Sequence, residues 1–373
     1  MHIAILGAGM VGRAMALDLA DRYKVTSFDK SEQSLALLSG RNKNVHTVTA
    51  DLTAYNKYPE LLAGFDYVIC AVPGFMGYAA LEAIIKAGKN VVDISFFPED
   101  ALQLHELAKD NKVTAIVDCG VAPGMSNLVL GYYNERMAIT DFECLVGGLP
   151  KKRTKPFEYK APFSPVDVLE EYTRPARYVE NGHIVTKPAL SDAELIDFDK
   201  AGTLESFNTD GLRSILFTMG HIPNMKEKTL RYPGHIELMQ ALIKAGFFST
   251  EKIDHKGTLI SPMEFSAELL FKQWKLGEAE PEFTIMRIDV GNTEKKIRYE
   301  LYDEYDADTQ TSSMSRTTGY TCTAALHLLM EGLFTEKGVF PPEQVGKHED
   351  CFLYILNYLE ARKVVYTVTE INN

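Results

Sequence analysis

The sequence predicts an α/β protein: a doubly wound parallel sheet joined to a second α+β domain built on a mixed or antiparallel sheet. Three observations predict it. Short apolar runs alternate with Ala- and Leu-rich helical segments from His2 to about Gly124. A glycine-rich turn occupies the first strand-to-helix junction, at Gly7 to Gly12. Beyond Phe142 the rhythm changes to runs that alternate polar and apolar residues, as half-buried antiparallel strands do.

The elements follow in order. His2 to Leu6 is apolar throughout, the pattern of a strand buried on both faces, and Met10 to Asp21 reads as a helix. Lys24 to Phe28 is a second strand closed by Asp29, followed by a helix over Ser31 to Ser39 and a strand over Val45 to Thr49. Asp66 to Val72 is another buried strand, with a helix from about Tyr78 to Ala87 that stops at Gly88. Lys89 to Asp93, a helix from Pro98 to Asn111 and Thr114 to Asp118 continue the alternation. Further on, Phe142 to Pro150 is strand-like, and Ala176 to Thr186 carries the hairpin signal Asn181-Gly182. Phe283 to Gly291 and Lys296 to Tyr305 alternate about a polar turn. Helices are expected at Pro165 to Tyr172, His235 to Ala245, Pro262 to Trp274 and Thr317 to Leu333.

Composition bounds the function. Hydrophobic residues form 46% of the 373 and charged residues 24%, the balance of a globular protein large enough to bury a core without staples. The net charge of −12 and the lack of any long basic run argue against nucleic acid or an anionic membrane as partner. Lys151 to Lys155, the densest basic cluster, reads as a solvated loop. Five widely spaced cysteines without a CxxC indicate neither a zinc site nor a disulfide framework and fit a reducing compartment. The first residues enter a strand without a signal-type segment, and no apolar run nears the roughly 20 residues that span a bilayer, so a cytoplasmic location is expected.

Gly7-Ala8-Gly9-Met10-Val11-Gly12 is a GxGxxG turn between an apolar strand and a helix, and Asp29 closes the next strand 17 residues beyond Gly12. Gly7 suits the tight turn, Gly9 lets the backbone approach a pyrophosphate, and Gly12 permits close helix–strand packing. The phosphates would rest on the N-terminus of the helix, where free N–H groups and the dipole favour anions. A Rossmann-type dinucleotide site is therefore expected. Asp29 is placed to accept from the ribose hydroxyls and to repel a 2′-phosphate, which favours NAD; the adjacent Lys30 leaves NADP open. FAD would need a second nucleotide-binding segment, which the rest of the chain lacks. Ala71-Val72-Pro73 ends a central strand and belongs near the nicotinamide or is a plain strand-to-helix turn.

Two further strand ends are polar. Asp93 closes Lys89 to Asp93, and Asp118-Cys119-Gly120 closes the next strand. Both acids are candidate bases projecting from carboxyl ends of strands; the alternative is capping of the following helices, by Asp93 or Ser95 at one and Ser126 at the other. Cys119 is a thiol candidate or a small buried residue. Arg213, Arg231 and Arg316 stand in Gly- or Pro-marked segments and suit a bidentate clamp on a substrate carboxylate, or salt bridges. Tyr232 and His235 supply a hydroxyl and an imidazole beside Arg231.

The segment Val117-Asp118-Cys119-Gly120-Val121-Ala122-Pro123-Gly124-Met125-Ser126-Asn127 resembles the saccharopine dehydrogenase-like family, particularly its lysine 6-dehydrogenase branch. Phe207 to Arg213 (FNTDGLR), Thr229 to His235 (TLRYPGH) and Ser315 to Tyr320 (SRTTGY) resemble the same family, so the likeness runs from Gly7 to Tyr320. It implies hydride transfer between NAD(P) and the carbon of a C–N bond in an amino acid: lysine, saccharopine or a carboxyspermidine-type amine. It also implies a Rossmann domain over residues 1–125 completed by about 315–335. A substrate-binding and dimerisation domain would cover 126–314, and a C-terminal helix and tail 336–373. On that reading Asp93, Asp118 and His235 compete for the role of base, and Arg213 or Arg231 for the carboxylate clamp. The partners implied are a small amino-acid substrate and a second copy in a homodimer or larger homo-oligomer. The competing class is a dinucleotide sensor that keeps the fold without turnover.

Overall fold

The structure, a computed structural model, describes residues 1–162 and 165–372. The chain divides into two compact units. The first comprises Met1–Ile139 and Met314–Tyr366, and the second comprises Thr140–Ser313 together with the chain from Thr367 onward.

The first unit is a seven-stranded parallel sheet. Its order is Gly338–Phe340, Thr114–Ile116, Asn90–Asp93, Tyr67–Cys70, His2–Leu6, Lys24–Asp29, Val45–Thr49. The strands pair in parallel throughout, with Ile3 between Val25 and Tyr67. Apolar side chains on both faces explain the continuous hydrophobic runs, since helices cover both sides. Ala4, Leu6, Val68, Cys70 and Val91 pack on one face against Leu81, Ile84 and Ile85 of the helix Gly74–Lys86. The chain leaves His2–Leu6 in one direction and returns to Tyr67–Cys70 on its other side. The carboxyl ends of these two strands therefore form the topological switch point, where such sheets bind ligands.

Local chemistry sets the boundaries. Ser31 caps the helix Glu32–Arg41 by accepting from Ser34 N–H at 3.2 Å. The helix expected from Tyr78 already starts at Gly74, because Pro73 supplies a pre-set φ of −56° at its N-cap. The helix expected over Pro98 to Asn111 is shorter, a 3₁₀ turn Ala101–Leu104 leading into His105–Asp110, since Asp100 caps there through Leu102 N–H.

The sequence-based boundaries shift in two places. The helix Met125–Asn134 belongs to the first unit, packed so tightly on Pro342–Gly346 that a Cβ on Gly131 would lie 2.0 Å from the Glu343 carbonyl oxygen. Residues 336–366 are no tail: Gly338–Phe340 adds the outermost strand, paired in register with Thr114–Ile116. Asp18 of the first helix accepts from Thr323, Tyr358 and Arg362 at 2.6, 2.8 and 2.5 Å, binding the late helices Ser313–Met330 and Glu349–Glu360, and the turn after the second, to the early chain.

The second unit holds a nine-stranded mixed sheet. Its main path runs Glu194–Phe198, Gly202–Asn208, Asn224–Arg231, Asp141–Pro150, Glu282–Gly291, Lys295–Glu304, Tyr366–Asn372, with the hairpin Ala176–Glu180/His183–Lys187 branching off Asn224–Arg231. Asn224–Arg231 and Asp141–Pro150 are parallel. Asn181 and Gly182 turn the hairpin at φ of 50° and 78°, the two left-handed positions that an Asn-Gly turn supplies. The helices Pro165–Thr173, His235–Lys244 and Pro262–Trp274 close a core around Trp274, Tyr172, Phe207 and Leu230.

Candidate functional site

The glycine turn is held by backbone contacts. Gly7 N–H donates to Phe28 O at 2.8 Å, and Gly7 takes a φ of +114° that an L side chain rarely adopts. A Cβ on Gly7 would lie 2.3 Å from the Ala71 carbonyl oxygen, and one on Gly12 2.1 Å from that of Gly7. Gly9 differs. Its φ of −63° is ordinary, and a Cβ there would meet nothing within 4 Å. Gly9 is the N-cap of the helix Met10–Ala20, with no side-chain cap and no acid in the first turn. Its opening N–H groups are thus available to an anion, with Met10 and Val11 half-buried behind them.

Asp29 is fastened to the same turn. Its carboxylate accepts from Ala8 N–H at 2.7 Å and from Ser31 N–H at 2.8 Å, while the side chain stays half-exposed. Each oxygen keeps a lone pair for a ribose hydroxyl. Lys30 beside it is exposed. Across the switch point, Ala71 N–H donates to Leu6 O at 2.9 Å, Val72 is buried and Pro73 is exposed. These residues fit a dinucleotide: an open glycine, an uncapped helix N-terminus and a carboxylate at the neighbouring strand end.

Asp93 and Asp118 lie at the ends of adjacent strands, with Cys119 N–H donating to Asp93 O at 3.0 Å. Neither caps a helix. Asp93 is fully buried, and its carboxylate closes a turn by accepting Ser95 N–H at 2.6 Å. Burial drives its pKa up to about 7, helped by the charge of Asp118 and opposed by hydrogen bonds from Cys70 and Ser95. Asp118 is 6% exposed, with a left-handed φ of 51°.

The loop that follows is coiled on itself. Gly120 N–H donates to Pro123 O and Met125 N–H to Gly120 O, both at 3.0 Å, and a Cβ on Gly124 would collide with Gly120 at 1.9 Å. Asn127 donates to the buried Glu343 at 3.1 Å, so the Ser-Asn end of the segment is structural. Cys119 is also core: its thiol faces the Thr321 carbonyl at 3.9 Å, and burial raises its pKa, so the substrate role expected of it gives way to packing. Gly120 is buried with Thr318 against it. Arg316 is buried in the first unit and donates to Arg362 O at 3.1 Å.

In the second unit the structure corrects two expectations. Arg231 is 2% exposed. Its guanidinium donates to Tyr172 Oη, Leu230 O and Glu171 at 2.9, 3.0 and 2.9 Å, beneath the ring of Tyr159 at 4.4 Å. The strand Asn224–Arg231 runs through this arginine and turns it into the core, so it is not a free carboxylate clamp. His235 is equally enclosed, with Nδ1 on Phe157 O and Nε2 on Tyr172 Oη, both at 2.9 Å. Burial and the nearby Arg231 cation lower its pKa to about 3, so it is a neutral core imidazole and not the base. Tyr232 donates to Pro150 O at 3.0 Å. Arg213 sits at a left-handed φ of 55°, buried, in the turn after Gly202–Asn208. Replacing Arg231 with methionine strands Glu171 and is expected to destabilise the second unit by about 3–5 kcal/mol in urea unfolding. Pairing it with Glu171→Gln should restore part of that loss; no restoration would show that the ion pair is not what matters.

Sequence reasoning overlooked Arg13, which is 4% exposed on the first helix and donates to Ala8 O at 3.2 Å. The signal available was a lone cation in the apolar run of that helix. Among the described residues no cluster of three or more metal-ligating side chains occurs, and no helix is long and apolar enough to cross a membrane.

A doubly wound sheet with this glycine turn, open helix end and strand-terminal acid defines a dinucleotide-binding unit. Residues 3–116 match the saccharopine dehydrogenase NADP binding domain and residues 120–365 the saccharopine dehydrogenase C-terminal domain, and the chain belongs to the saccharopine dehydrogenase family. It is 23% identical over 265 residues to the mitochondrial alpha-aminoadipic semialdehyde synthase of Rattus norvegicus, covering 67% of this chain and 28% of that protein. Against the NADP(+), L-glutamate-forming saccharopine dehydrogenase of Pyricularia oryzae it is 25% identical over 263 residues, covering 67% of this chain and 58% of that protein. The chain thus matches well under two thirds of the length of either relative. The fold agrees with apo saccharopine dehydrogenase (L-Glu forming) from Saccharomyces cerevisiae at a TM-score of 0.79 and 18% identity, over 99% of both chains.

Proposed function

We propose that the protein oxidises the C–N bond of an amino acid with a nicotinamide dinucleotide, in the manner of a lysine 6-dehydrogenase. The observation that carries this reading is the pair Asp93 and Asp118, buried at adjacent strand ends of the dinucleotide-binding sheet. The bound dinucleotide supplies the hydride acceptor. A protonated amine cannot push electrons into a forming C=N bond, so a protein group must first take its proton. Asp118, the less buried of the two, and Asp93, whose pKa near 7 suits proton transfer at neutral pH, are the candidates for that role. Arg213 and Arg316, both buried, are carried forward from the sequence as candidates for the substrate carboxylate.

Asp29 supports NAD over NADP through its carboxylate at the ribose position, whereas Lys30 and the NADP-named domain that the chain matches leave NADP in play. Asp29→Ser should raise kcat/KM for NADP relative to NAD by about tenfold or more. Unchanged discrimination would show that Asp29 does not read the ribose.

The deciding experiment offers lysine, saccharopine and carboxyspermidine with NAD and with NADP and follows the absorbance of the reduced nicotinamide. Reduction with lysine supports the first choice. Reduction with saccharopine or carboxyspermidine but not lysine replaces it with the alternative amine dehydrogenase activity. Tight dinucleotide binding without turnover on any amine would make the protein a sensor.

A further inference from the structure

We infer that Arg13 positions the dinucleotide's pyrophosphate by orienting and polarising one peptide group of the glycine turn. This rests on the dinucleotide lying at that turn.

The peptide between Ala8 and Gly9 carries the Ala8 carbonyl at one end and the Gly9 N–H at the other. Arg13 Nη1 donates to that carbonyl at 3.2 Å. The Gly9 N–H belongs to the helix N-cap residue, where a Cβ would meet open space. A charged donor on the carbonyl draws electron density from the amide, strengthens the opposite N–H as a donor, and fixes the plane of the peptide. The preceding peptide, between Gly7 and Ala8, is fixed from the other side, because its N–H donates to Asp29 at 2.7 Å. Ala8 itself is fully buried, so the residue is gripped by an anion at its N–H and a cation at its carbonyl.

This arrangement does two things. It holds the Gly9 amide ready for an anion before any ligand arrives, which removes an ordering cost from binding. It also links the acid expected to read the ribose to the cation behind the phosphates through a single residue. A buried arginine serving only to fill the helix interface would not need its contact with the turn. Lysine is a partial replacement, since its ammonium is a point charge on a flexible stem and does not hold a donor in the fixed plane of a guanidinium.

The test measures dissociation constants of NADH and of ADP-ribose, together with apoprotein melting, for Arg13→Met, Arg13→Lys, Asp29→Asn and the Arg13→Met/Asp29→Asn pair. The expected result is that Arg13→Met weakens both ligands by the same factor, about 10- to 100-fold, because both carry the pyrophosphate. Arg13→Lys should fall between it and the parent. The double variant should lose less than the product of the single losses, since both act on Ala8. Arg13→Met that lowers the melting temperature yet binds both ligands as the parent does would reduce Arg13 to packing. Multiplicative losses would sever the link through Ala8. If Arg13→Met does not fold, Arg13→Lys carries the decision, and parental affinity in it overturns the inference. A parent that binds neither NADH nor NADPH would instead overturn the dinucleotide site itself.

Discussion

Gly9→Ala is expected to fold like the parent and to lose most of its affinity for the dinucleotide, about 100-fold, whereas Gly12→Ala should lose both affinity and stability. The contrast follows from two positions three residues apart. At Gly9 the backbone angle suits alanine and the new methyl meets only open space, so the apoprotein has nothing to accommodate. That open space is where phosphate oxygens must approach the amides, and a methyl group there holds them off. At Gly12 the methyl would sit 2.1 Å from the Gly7 carbonyl oxygen, so the first helix must retreat from the first strand. Overpacking of that kind typically costs about 1–3 kcal/mol and occasionally more. Differential scanning calorimetry on the apoproteins and NADH titration separate the two effects. Equal melting losses in both variants would show that Gly9 serves the fold, and unaltered NADH affinity in Gly9→Ala would move the dinucleotide elsewhere.

Asp93→Asn should be more stable than the parent in mild alkali and no more stable in acid. The folded pKa of Asp93 is raised to about 7, against about 3.9 for an exposed aspartate. Below about pH 4 the carboxyl is protonated in both folded and unfolded chains, and burial costs nothing through charge. Between about pH 4 and pH 7 the unfolded chain releases the proton while the folded chain keeps it, so stability falls as pH rises. Above about pH 7 both are ionised and the full difference persists, up to about 4 kcal/mol for three pKa units. Asparagine keeps an oxygen for the Ser95 N–H and carries no charge, so it removes this penalty alone. Calorimetry at about pH 4 and pH 8 reads the difference. A variant equally altered at both values would show that carboxylate charge is not at issue. If Asp93 is the base, the stabilised variant is also inactive, a trade of stability for function.

Local signals were legible in the sequence because their causes are local. The glycine turn, Asp29 and the first strands depend on residues next to one another, and the Asn181-Gly182 hairpin is specified by its two turn residues. Roles that depend on distant partners were not. Thr229 to His235 reads as a loop because Pro233 and Gly234 dominate it, yet the strand continues through Arg231, and its partners Glu171 and Tyr172 come from a helix about sixty positions earlier. The raised pKa of Asp93 comes first from burial, which tertiary packing creates, and then from the charge of Asp118, 25 positions away. Gly338–Phe340 has only three residues, too few to show a period, and its place follows solely from pairing with Thr114–Ile116.

The discontinuity of the first unit has a consequence for biosynthesis. A ribosome delivers the glycine turn, the central strands and Asp18 early, but Gly338–Phe340 and the three partners of Asp18 only after residues 140–313 of the second unit have emerged. In the interval Thr114–Ile116 is an unprotected parallel edge, the kind of surface that recruits other nascent chains. Residues 140–313 are synthesised within that window and can gather most of their own sheet before the outer strand arrives. Translation speed across this stretch, and chaperone cover for the waiting edge, are therefore expected to bear on yield. An expression host that aggregates this chain should be helped by slower synthesis or lower temperature sooner than by mutations in the finished core.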